Sequence, residues 1–365
     1  MLILLSGNYI YRKESLNSGR SKTGPSAGKI GGAMKSIDEI IAAALKGEKS
    51  ATSRLISLVE RGDSHAPYIL QKMYEHAGKA YYIGITGAPG AGKSTMVDKL
   101  VRRFCKRGHS VGVVAVDPSS PFSGGALLGD RVRVNIKNKE YDYFFRSMSA
   151  GKIMGGLSRT TKEAARILDA SGRDIIIIET VGVGQSELDI AKATDTVVVM
   201  LTPESGDGVQ IMKAGLMEIA DVFVVNKCDR LGAENIAHSL KGLLDRIDAR
   251  LDWRPPIFMT SAAMNQGIDE FYEGLLDHRR YLKRDNKMEQ RRRLQIREEL
   301  KHHVEAEFTR LFWSQMDNGR DIDNALRRTW EYRIDPQNAA REIVSAWLNR
   351  VAGGHGHNEG ILAVQ

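Results

Sequence analysis

The run from Gly87 to Ser94 is the segment whose residue types and spacing specify a chemistry most clearly. Its sequence, Gly-Ala-Pro-Gly-Ala-Gly-Lys-Ser, matches the phosphate-binding pattern G-x-x-x-x-G-K-S. Glycines let backbone N–H groups converge on phosphate oxygens because no Cβ intervenes. The lysine neutralises the β- and γ-phosphates, and the adjacent hydroxyl is a ligand for Mg²⁺. We therefore predict that a nucleoside triphosphate and Mg²⁺ are bound by Gly87, Ala88, Pro89, Gly90, Ala91, Gly92, Lys93, Ser94 and Thr95.

A second motif, Asn226-Lys227-Cys228-Asp229, follows the apolar run Val222–Val225 and indicates which base is bound. An aspartate carboxylate accepts hydrogen bonds from both N1–H and the 2-amino group of guanine. Adenine offers neither donor, so a site built in this way discriminates strongly against it. We predict that Lys227 packs along the base, that Asn226 ties neighbouring loops, and that the nucleotide is GTP or GDP. Backbone N–H groups for guanine O6 are expected at Ser261, Ala262 and Ala263.

Three acidic residues are candidate ligands of Mg²⁺ in addition to Ser94. Asp117 directly follows an apolar run, Glu179 ends another, and Asp130 lies in Leu-Gly-Asp-Arg. Carboxylate oxygens at the carboxyl ends of parallel strands are suitable ligands for a hard cation. The alternative for Asp117 and Glu179 is a helix cap or an ordinary surface carboxylate.

Hydrolysis of a triphosphate requires charge stabilisation and an oriented water molecule. We predict that Lys93 supplies the charge. A glutamine directly after Gly182 would orient the water in many GTPases, but none is present. Glu179 and Gln185 are therefore the candidates for that role, and slow turnover by the isolated protein is expected.

The elements that must position these residues alternate between short apolar runs and helical segments. Several runs are apolar at every position, as in strands that are buried on both faces of a parallel sheet. We therefore predict a doubly wound, mainly parallel α/β fold of the P-loop nucleoside triphosphatase type. The predicted strands are Tyr82–Thr86, Val111–Val116, Ile175–Ile178, Thr196–Leu201, Val222–Val225 and Ile257–Met259, with Tyr141–Arg146 as a further candidate.

The chain divides into five predicted parts. Residues 1–33 are disordered or result from a misassigned start, with Met34 as the true start; an organellar transit peptide is the alternative. Residues 34–78 form an N-terminal helical segment and residues 79–282 the α/β domain. Residues 283–352 form a C-terminal helical arm, and residues 353–365 a flexible tail.

The predicted arm has an apolar stripe on one helical face, formed by Leu300, Val304, Phe308 and Leu311. A stripe of this kind packs against another apolar surface. Two interpretations are open, because the stripe can cover the chain's own α/β domain or a second copy of the chain in a homodimer.

Composition limits the partners and the compartment. The formal net charge is +8, but the basic residues between Lys283 and Lys301 are interspersed with glutamates, as on a solvated helix face. No nucleic-acid motif accompanies them, so no nucleic-acid partner is expected. No run of about 18 apolar residues is present, so no membrane span is expected. Cys105 and Cys228 do not suggest a disulfide framework, which favours the cytoplasm, or the mitochondrial matrix if residues 1–33 are a transit peptide.

Five motifs in order carry a family resemblance. They are Gly-Ala-Pro-Gly-Ala-Gly-Lys-Ser-Thr, Ala-Val-Asp-Pro-Ser-Ser, Leu-Leu-Gly-Asp-Arg, Glu-Thr-Val-Gly-Val-Gly-Gln-Ser-Glu and Val-Asn-Lys-Cys-Asp. With them the chain closely resembles the MeaB/ArgK-type GTPases of the SIMIBI class, which include the methylmalonic aciduria type A protein. The resemblance runs from about Met34 to Val351, and the block that begins at Glu179 is its most specific part.

The resemblance implies a homodimeric GTPase that acts as a chaperone of an adenosylcobalamin-dependent acyl-CoA mutase, chiefly methylmalonyl-CoA mutase. It also implies a switch I at about Pro118 to Ala150, a switch II at Val181 to Glu187, and a third mobile loop at Pro203 to Gln210. The chain departs from the family pattern at Pro121 to Gly125 and at Gly208-Val209, which leaves other mutases open. The alternatives are a nickel-insertion GTPase of the same class, a P-loop small-molecule kinase and a non-catalytic GTP-binding module.

Overall fold

A parallel sheet is the centre of the structure, a computed structural model that describes residues 36–117, 141–149, 159–180, 186–205, 215–246, 252–316 and 320–353. Its strands are β1 Tyr81–Gly87, β2 Val111–Asp117, β3 Tyr143–Ser149, β4 Ile175–Glu179, β5 Thr196–Leu201, β6 Val222–Val225 and β7 Ile257–Met259. Their order in the sheet is β3-β2-β4-β1-β5-β6-β7, and every neighbouring pair is parallel. The α/β fold predicted from the sequence is confirmed.

Burial on both faces explains why the apolar runs form the inner strands. Every residue of β4, β5 and β6 is buried, so alternation between polar and apolar positions is absent there, as in a sheet covered by helices on both sides. Strands β1, β2, β4, β5, β6 and β7 begin and end within one residue of the bounds predicted for them. The further candidate, Tyr141–Arg146, lies at the sheet edge as β3, and its pairing with β2 shifts it to Tyr143–Ser149.

Helices cover both faces of this sheet and extend beyond its last strand. They are α1 Ile37–Leu45, α2 Lys49–Glu60, α3 Ala66–Tyr74, α4 Lys93–Lys106, α5 Arg159–Ala170, α6 Ser186–Asp189, α7 Leu216–Ile219, α8 Ala233–Leu244, α9 Ile268–Lys283, α10 Lys287–Gln315, α11 Arg320–Trp330 and α12 Pro336–Gly353. The apolar residues of α4 and α9 pack on one face of the sheet. Those of α1, α2, α3 and α5 pack on the other face beside β2 and β4, and α8 covers β5 and β6.

Helix α10 is joined to the sheet at one end and exposed further along. Near its start, Arg291 donates to Asp221 over 2.9 Å and Arg292 donates to the buried Asp195 over 2.6 Å. The apolar stripe lies beyond these contacts, and the exposed fractions of Leu300, Val304, Phe308 and Leu311 are 63%, 60%, 51% and 41%. The stripe therefore is not covered by the described part of the α/β domain. No helix in the described ranges has the length and apolar character needed to cross a membrane.

The Asp169 carboxylate at the end of α5 fixes the start of β1. This side chain is 2% exposed. It accepts hydrogen bonds from the backbone N–H groups of Gly78, Lys79 and Ala80 over 2.6, 3.2 and 3.0 Å, and from the Tyr82 hydroxyl over 2.9 Å. Because β1 runs directly into the glycine-rich loop, this buried acceptor also sets where that loop begins.

We expect the substitution Asp169→Ala to lower the free energy of unfolding by about 2–4 kcal/mol, because several donors at the start of β1 lose their acceptor. Urea denaturation of the full chain measures the change. Asp252→Ala is the matched control, since that side chain is 75% exposed and forms a surface ion pair with Lys287. Its expected loss is below about 1 kcal/mol. Equal losses for the two variants would contradict this account of Asp169.

Candidate nucleotide-binding site

The glycine-rich loop joins β1 to α4, and its glycines are needed by geometry. Gly87, Gly90 and Gly92 have φ values of 139°, 76° and 88°, which L side chains rarely adopt. A Cβ at Gly87 would lie 2.1 Å from the Met200 carbonyl oxygen of β5. A Cβ at Gly90 would meet no atom of the described residues within 4 Å, so they leave the space beside this glycine open. The loop therefore forms a cradle that fits a phosphate group at the N-terminus of α4.

The Lys93 side chain lies back along this loop. Its Nζ donates to the carbonyl oxygens of Gly87 and Ala88 over 2.6 and 3.0 Å, and the residue is only 6% exposed. The positive charge is thus held at the cradle by the carbonyl groups of the loop itself. A preorganised cation of this kind can neutralise phosphate charge with little rearrangement.

Ser94 and Glu179 come together from different elements, as expected of two oxygen ligands for one metal. The Ser94 Oγ donates to Glu179 Oε1 over 2.5 Å, and Glu179 is 3% exposed. Glu179 ends β4, where it pairs in register with Ile85 of β1. A hydroxyl and a buried carboxylate in contact form a donor set that fits a hard divalent cation such as Mg²⁺.

Three other predicted residues are described in part or not at all. Asp117 ends β2, two residues beyond the position that pairs with Glu179; this places its backbone at the same edge of the sheet. Its side chain, like Asp130 and Gln185, lies outside the described residues, so the predictions for these three stay predictions. The same holds for most of the three predicted mobile loops.

Asn226 joins three loops of the site through one buried side chain. Its Nδ2 donates to the Ala91 carbonyl oxygen over 2.8 Å. Its Oδ1 accepts from the Ala262 N–H over 3.0 Å and from the Thr260 hydroxyl over 3.2 Å. The glycine-rich loop, the loop after β6 and the loop after β7 are therefore held together by the residue that the sequence suggested for this task. A Cβ at Gly92 would lie 2.5 Å from Asn226 Nδ2, so this close approach also requires a glycine.

The predicted base-binding residues lie next to this junction. Lys227 adopts a left-handed conformation with φ of 59°, and Asp229 is exposed. A hydrogen bond from Ser261 lowers the pKa of the Asp229 carboxyl, so the group is ionised at neutral pH and can accept two N–H bonds. Ala262 is buried and Ala263 exposed beside it. The arrangement can present a carboxylate and backbone donors to one base edge.

Sequence reasoning missed a contribution from Glu204, which follows β5 in the short 3₁₀ helix Pro203–Ser205. Its carboxylate pairs with Arg230, and it accepts from Lys227 Nζ over 3.4 Å. The Arg230 guanidinium is the main reason why the pKa of Glu204 is lowered to about 2. Its position after a parallel strand was the available signal. Its pairing with Lys227 and Arg230 was not evident, because these residues lie 23 and 26 positions away in the chain.

A glycine-rich cradle after the central strand of a parallel sheet, with a serine–glutamate pair beside it, defines a P-loop nucleoside triphosphatase. The family model described as "Methylmalonyl Co-A mutase-associated GTPase MeaB" matches residues 52–317. The chain belongs to this MeaB/ArgK family and is a GTP-binding GTPase.

Individual relatives agree with this assignment. GTPase ArgK of Escherichia coli is 32% identical over 82% of this chain and 92% of its own length. The mouse protein "Methylmalonic aciduria type A homolog, mitochondrial" is 30% identical over 86% of this chain and 80% of its own. A Pyrococcus abyssi protein with a provisional GTPase description is 45% identical over 87% and 98%. Among solved structures, one described as a LAO/AO transport system kinase has a TM-score of 0.66 and 26% identity, covering 86% and 97%.

We expect Asp229→Asn to weaken GTP binding by at least about 100-fold and to confer binding of xanthosine triphosphate. An asparagine cannot accept both guanine N–H bonds, but its amide can donate to the 2-carbonyl group of xanthine. Equilibrium titration with both nucleotides measures the exchange. Asp229→Ala is the control: it should lose binding of GTP and should not gain binding of xanthosine triphosphate. If Asp229→Asn gains no xanthine binding, the assignment of Asp229 to the base is wrong.

Proposed function

We propose that this protein is a Mg²⁺-dependent GTP switch that assembles, protects or reactivates an adenosylcobalamin-dependent acyl-CoA mutase, with methylmalonyl-CoA mutase as the first candidate. The proposal of this partner rests on the family match over residues 52–317, because the description of the family names that mutase. The preformed phosphate cradle and the junction at Asn226 support the GTP-dependent step. We place the activity in the cytoplasm, in keeping with the unpaired Cys105 and Cys228.

Ser94 and Glu179 are the residues that we assign to Mg²⁺, with Asp117 and Asp130 as further ligands. The support is the 2.5 Å contact between the Ser94 hydroxyl and the Glu179 carboxylate, since both groups offer oxygen to one position. Bound Mg²⁺ would supply charge neutralisation at the phosphates. Because Glu179 is buried, its negative charge is well suited to a cation.

The chain's own residues supply binding, orientation and charge for hydrolysis. Lys93 is already held at the cradle and would turn from the Gly87 and Ala88 carbonyl oxygens to phosphate oxygens. We assign the orientation of the attacking water to Glu179 or Gln185. Preorganised charge of this kind is usually the largest contribution to transition-state stabilisation in phosphoryl transfer.

Glu204 offers a physical connection between the base-binding loop and the partner. It lies in the described start of the loop that we assign to contact with the mutase, Pro203 to Gln210. Its bonds to Lys227 and Arg230 join that start to the loop after β6. A partner that displaces the Pro203 loop would therefore disturb the position of Lys227, which we assign to the guanine plane.

We also propose that the protein is a homodimer joined through α10 and its neighbours. Leu300, Val304, Phe308 and Leu311 form a continuous stripe, and each is at least 41% exposed. Monomeric proteins rarely leave a contiguous apolar surface of this kind open to water. Near the end of the stripe, Phe308 packs edge-on to Trp347 of α12 with ring centroids 5.2 Å apart, which holds the helices of the arm together.

The chaperone proposal predicts slow GTP hydrolysis by the isolated protein and an increase of at least about tenfold on addition of methylmalonyl-CoA mutase, equivalent to about 1.4 kcal/mol in the barrier. Phosphate release is measured with Mg²⁺ present and with Mg²⁺ removed by chelation. An acyl-CoA enzyme that lacks cobalamin serves as the control protein and should have no effect. Fast hydrolysis that no cobalamin-dependent mutase changes would rule the proposal out, while tight GTP binding without phosphate release would favour a non-catalytic module.

The dimer proposal predicts that Val304→Lys raises the dimer dissociation constant by at least about tenfold, because it would bury a charge in an apolar interface. Sedimentation velocity over a range of concentrations measures the shift. His302→Lys is the control, since that side chain lies off the stripe and is 64% exposed. The arm is not a dimer interface if the unmodified protein sediments as a monomer throughout, or if both variants dimerise equally.

A further inference from the structure

A cavity of about 220 Å³ lies apart from the nucleotide site, between α5, the 3₁₀ helix Ile190–Lys192 and the first turns of α10. Among the residues that the structure describes, none of those assigned to GTP or Mg²⁺ lines it. Pockets for drug-sized ligands usually enclose about 300–1,000 Å³. The cavity is therefore too small for a nucleotide and has the size of a small organic molecule.

Most of the positive charge around this cavity is already neutralised. Of the described residues, four with cationic side chains line it, and three of them are paired with carboxylates: Arg166 with Glu299, Lys192 with Asp189, and Arg292 with Asp195. Arg292 also donates to the carbonyl oxygens of Gly78 and Ala80. Since these cations are engaged, they hold the walls together and leave little charge for a ligand.

Lys162 is the fourth cation, and it differs from the others. In the ranges that the structure covers, no hydrogen bond or ion pair to its ammonium group is found. The side chain is half-buried on α5, one turn before Arg166, and burial lowers the pKa of the ammonium group. The Glu299 carboxylate, which lines the same cavity and is bonded to Arg166, attracts this ammonium group at a distance. A partly desolvated cation without a direct hydrogen bond is unfavourable, and a carboxylate in the cavity would supply that bond.

The remainder of the lining is mostly apolar and partly open to solvent. Tyr74 and Ile296 are 54% and 47% exposed. Both side chains therefore leave apolar surface in contact with water beside the cavity. Ala77, Ala165 and Ala193 add short apolar side chains to the wall. A ligand that satisfies Lys162 would therefore also need an apolar part to cover these surfaces.

We propose that this cavity is a binding site for a small organic carboxylate that carries one negative charge and an apolar body of a few carbon atoms. The carboxylate accepts from the Lys162 ammonium group, and the body packs between Tyr74 and Ile296. The size of the cavity excludes a nucleotide, and the Glu299 carboxylate in its wall disfavours a multivalent anion. The site is separate from GTP hydrolysis, so it goes beyond the proposed function.

The test uses butyrate as the probe and the full chain with excess GDP, which occupies the nucleotide site and prevents binding of the anion there. Isothermal titration should give a dissociation constant on the order of 1 mM. Lys162→Met should raise it by at least about tenfold through loss of a charge-assisted hydrogen bond. Ala193→Leu should also raise this dissociation constant by at least about tenfold, because the larger side chain fills part of the cavity. Lys241→Met is the matched control, because this exposed helical lysine does not line the cavity.

Butyramide and inorganic phosphate distinguish the proposed ligand class from its alternatives. Butyramide has the same shape without the charge and should bind at least about tenfold more weakly than butyrate. Equal binding of butyramide, equal competition by phosphate, or unchanged binding by Lys162→Met would each overturn the proposal. Absence of butyrate binding would do so as well. None of these results affects the mutase-stimulated hydrolysis of GTP, which is measured without butyrate, so the two proposals fail independently.

Discussion

The hydrogen bonds of the Asn226 side chain are the interaction on which the nucleotide site depends. One buried amide donates to the loop after β1 and accepts from the loop after β7, while its own backbone belongs to the loop after β6. Buried amides of this kind are costly unless they are fully paired. The phosphate cradle and the base-binding loop therefore keep one relative position, and Gly92 must lack a side chain to allow the approach.

Strand order supplies the second half of the site. Because β4 lies directly beside β1, the carboxylate at the end of one strand reaches the hydroxyl that follows the other. The two side chains meet in a hydrogen bond of 2.5 Å between Ser94 Oγ and Glu179 Oε1. Glu179 is 3% exposed, so its charge lies in a region of low dielectric, where electrostatic interactions are stronger than in water.

Helix α10 is anchored on the α/β domain, forms one wall of the cavity that Lys162 lines, and carries the apolar stripe. Its first turns are fixed by Arg291 and Arg292, whose guanidinium groups bond to Asp221 and Asp195 at the amino ends of strands. One turn or two later, α10 forms a wall of the cavity, and beyond that its apolar face is exposed. The rigid anchor explains how a long helix can extend from the domain without packing along it.

The sequence alone determined the phosphate loop, the guanine motif, the Asn226 junction and the inner strands, because backbone conformation, base chemistry and burial on both faces leave local patterns. The bounds of edge strand β3 differ from the predicted ones because its pairing with β2 decides where it begins and ends. Only the tertiary structure decided that Asp169 supports β1, that Glu204 bonds to the base-binding loop, and that Lys162 faces a cavity. These contacts join residues far apart in the chain, such as Arg166 and Glu299 at 133 positions. No local pattern records such a distance, since only folding brings the two charges together.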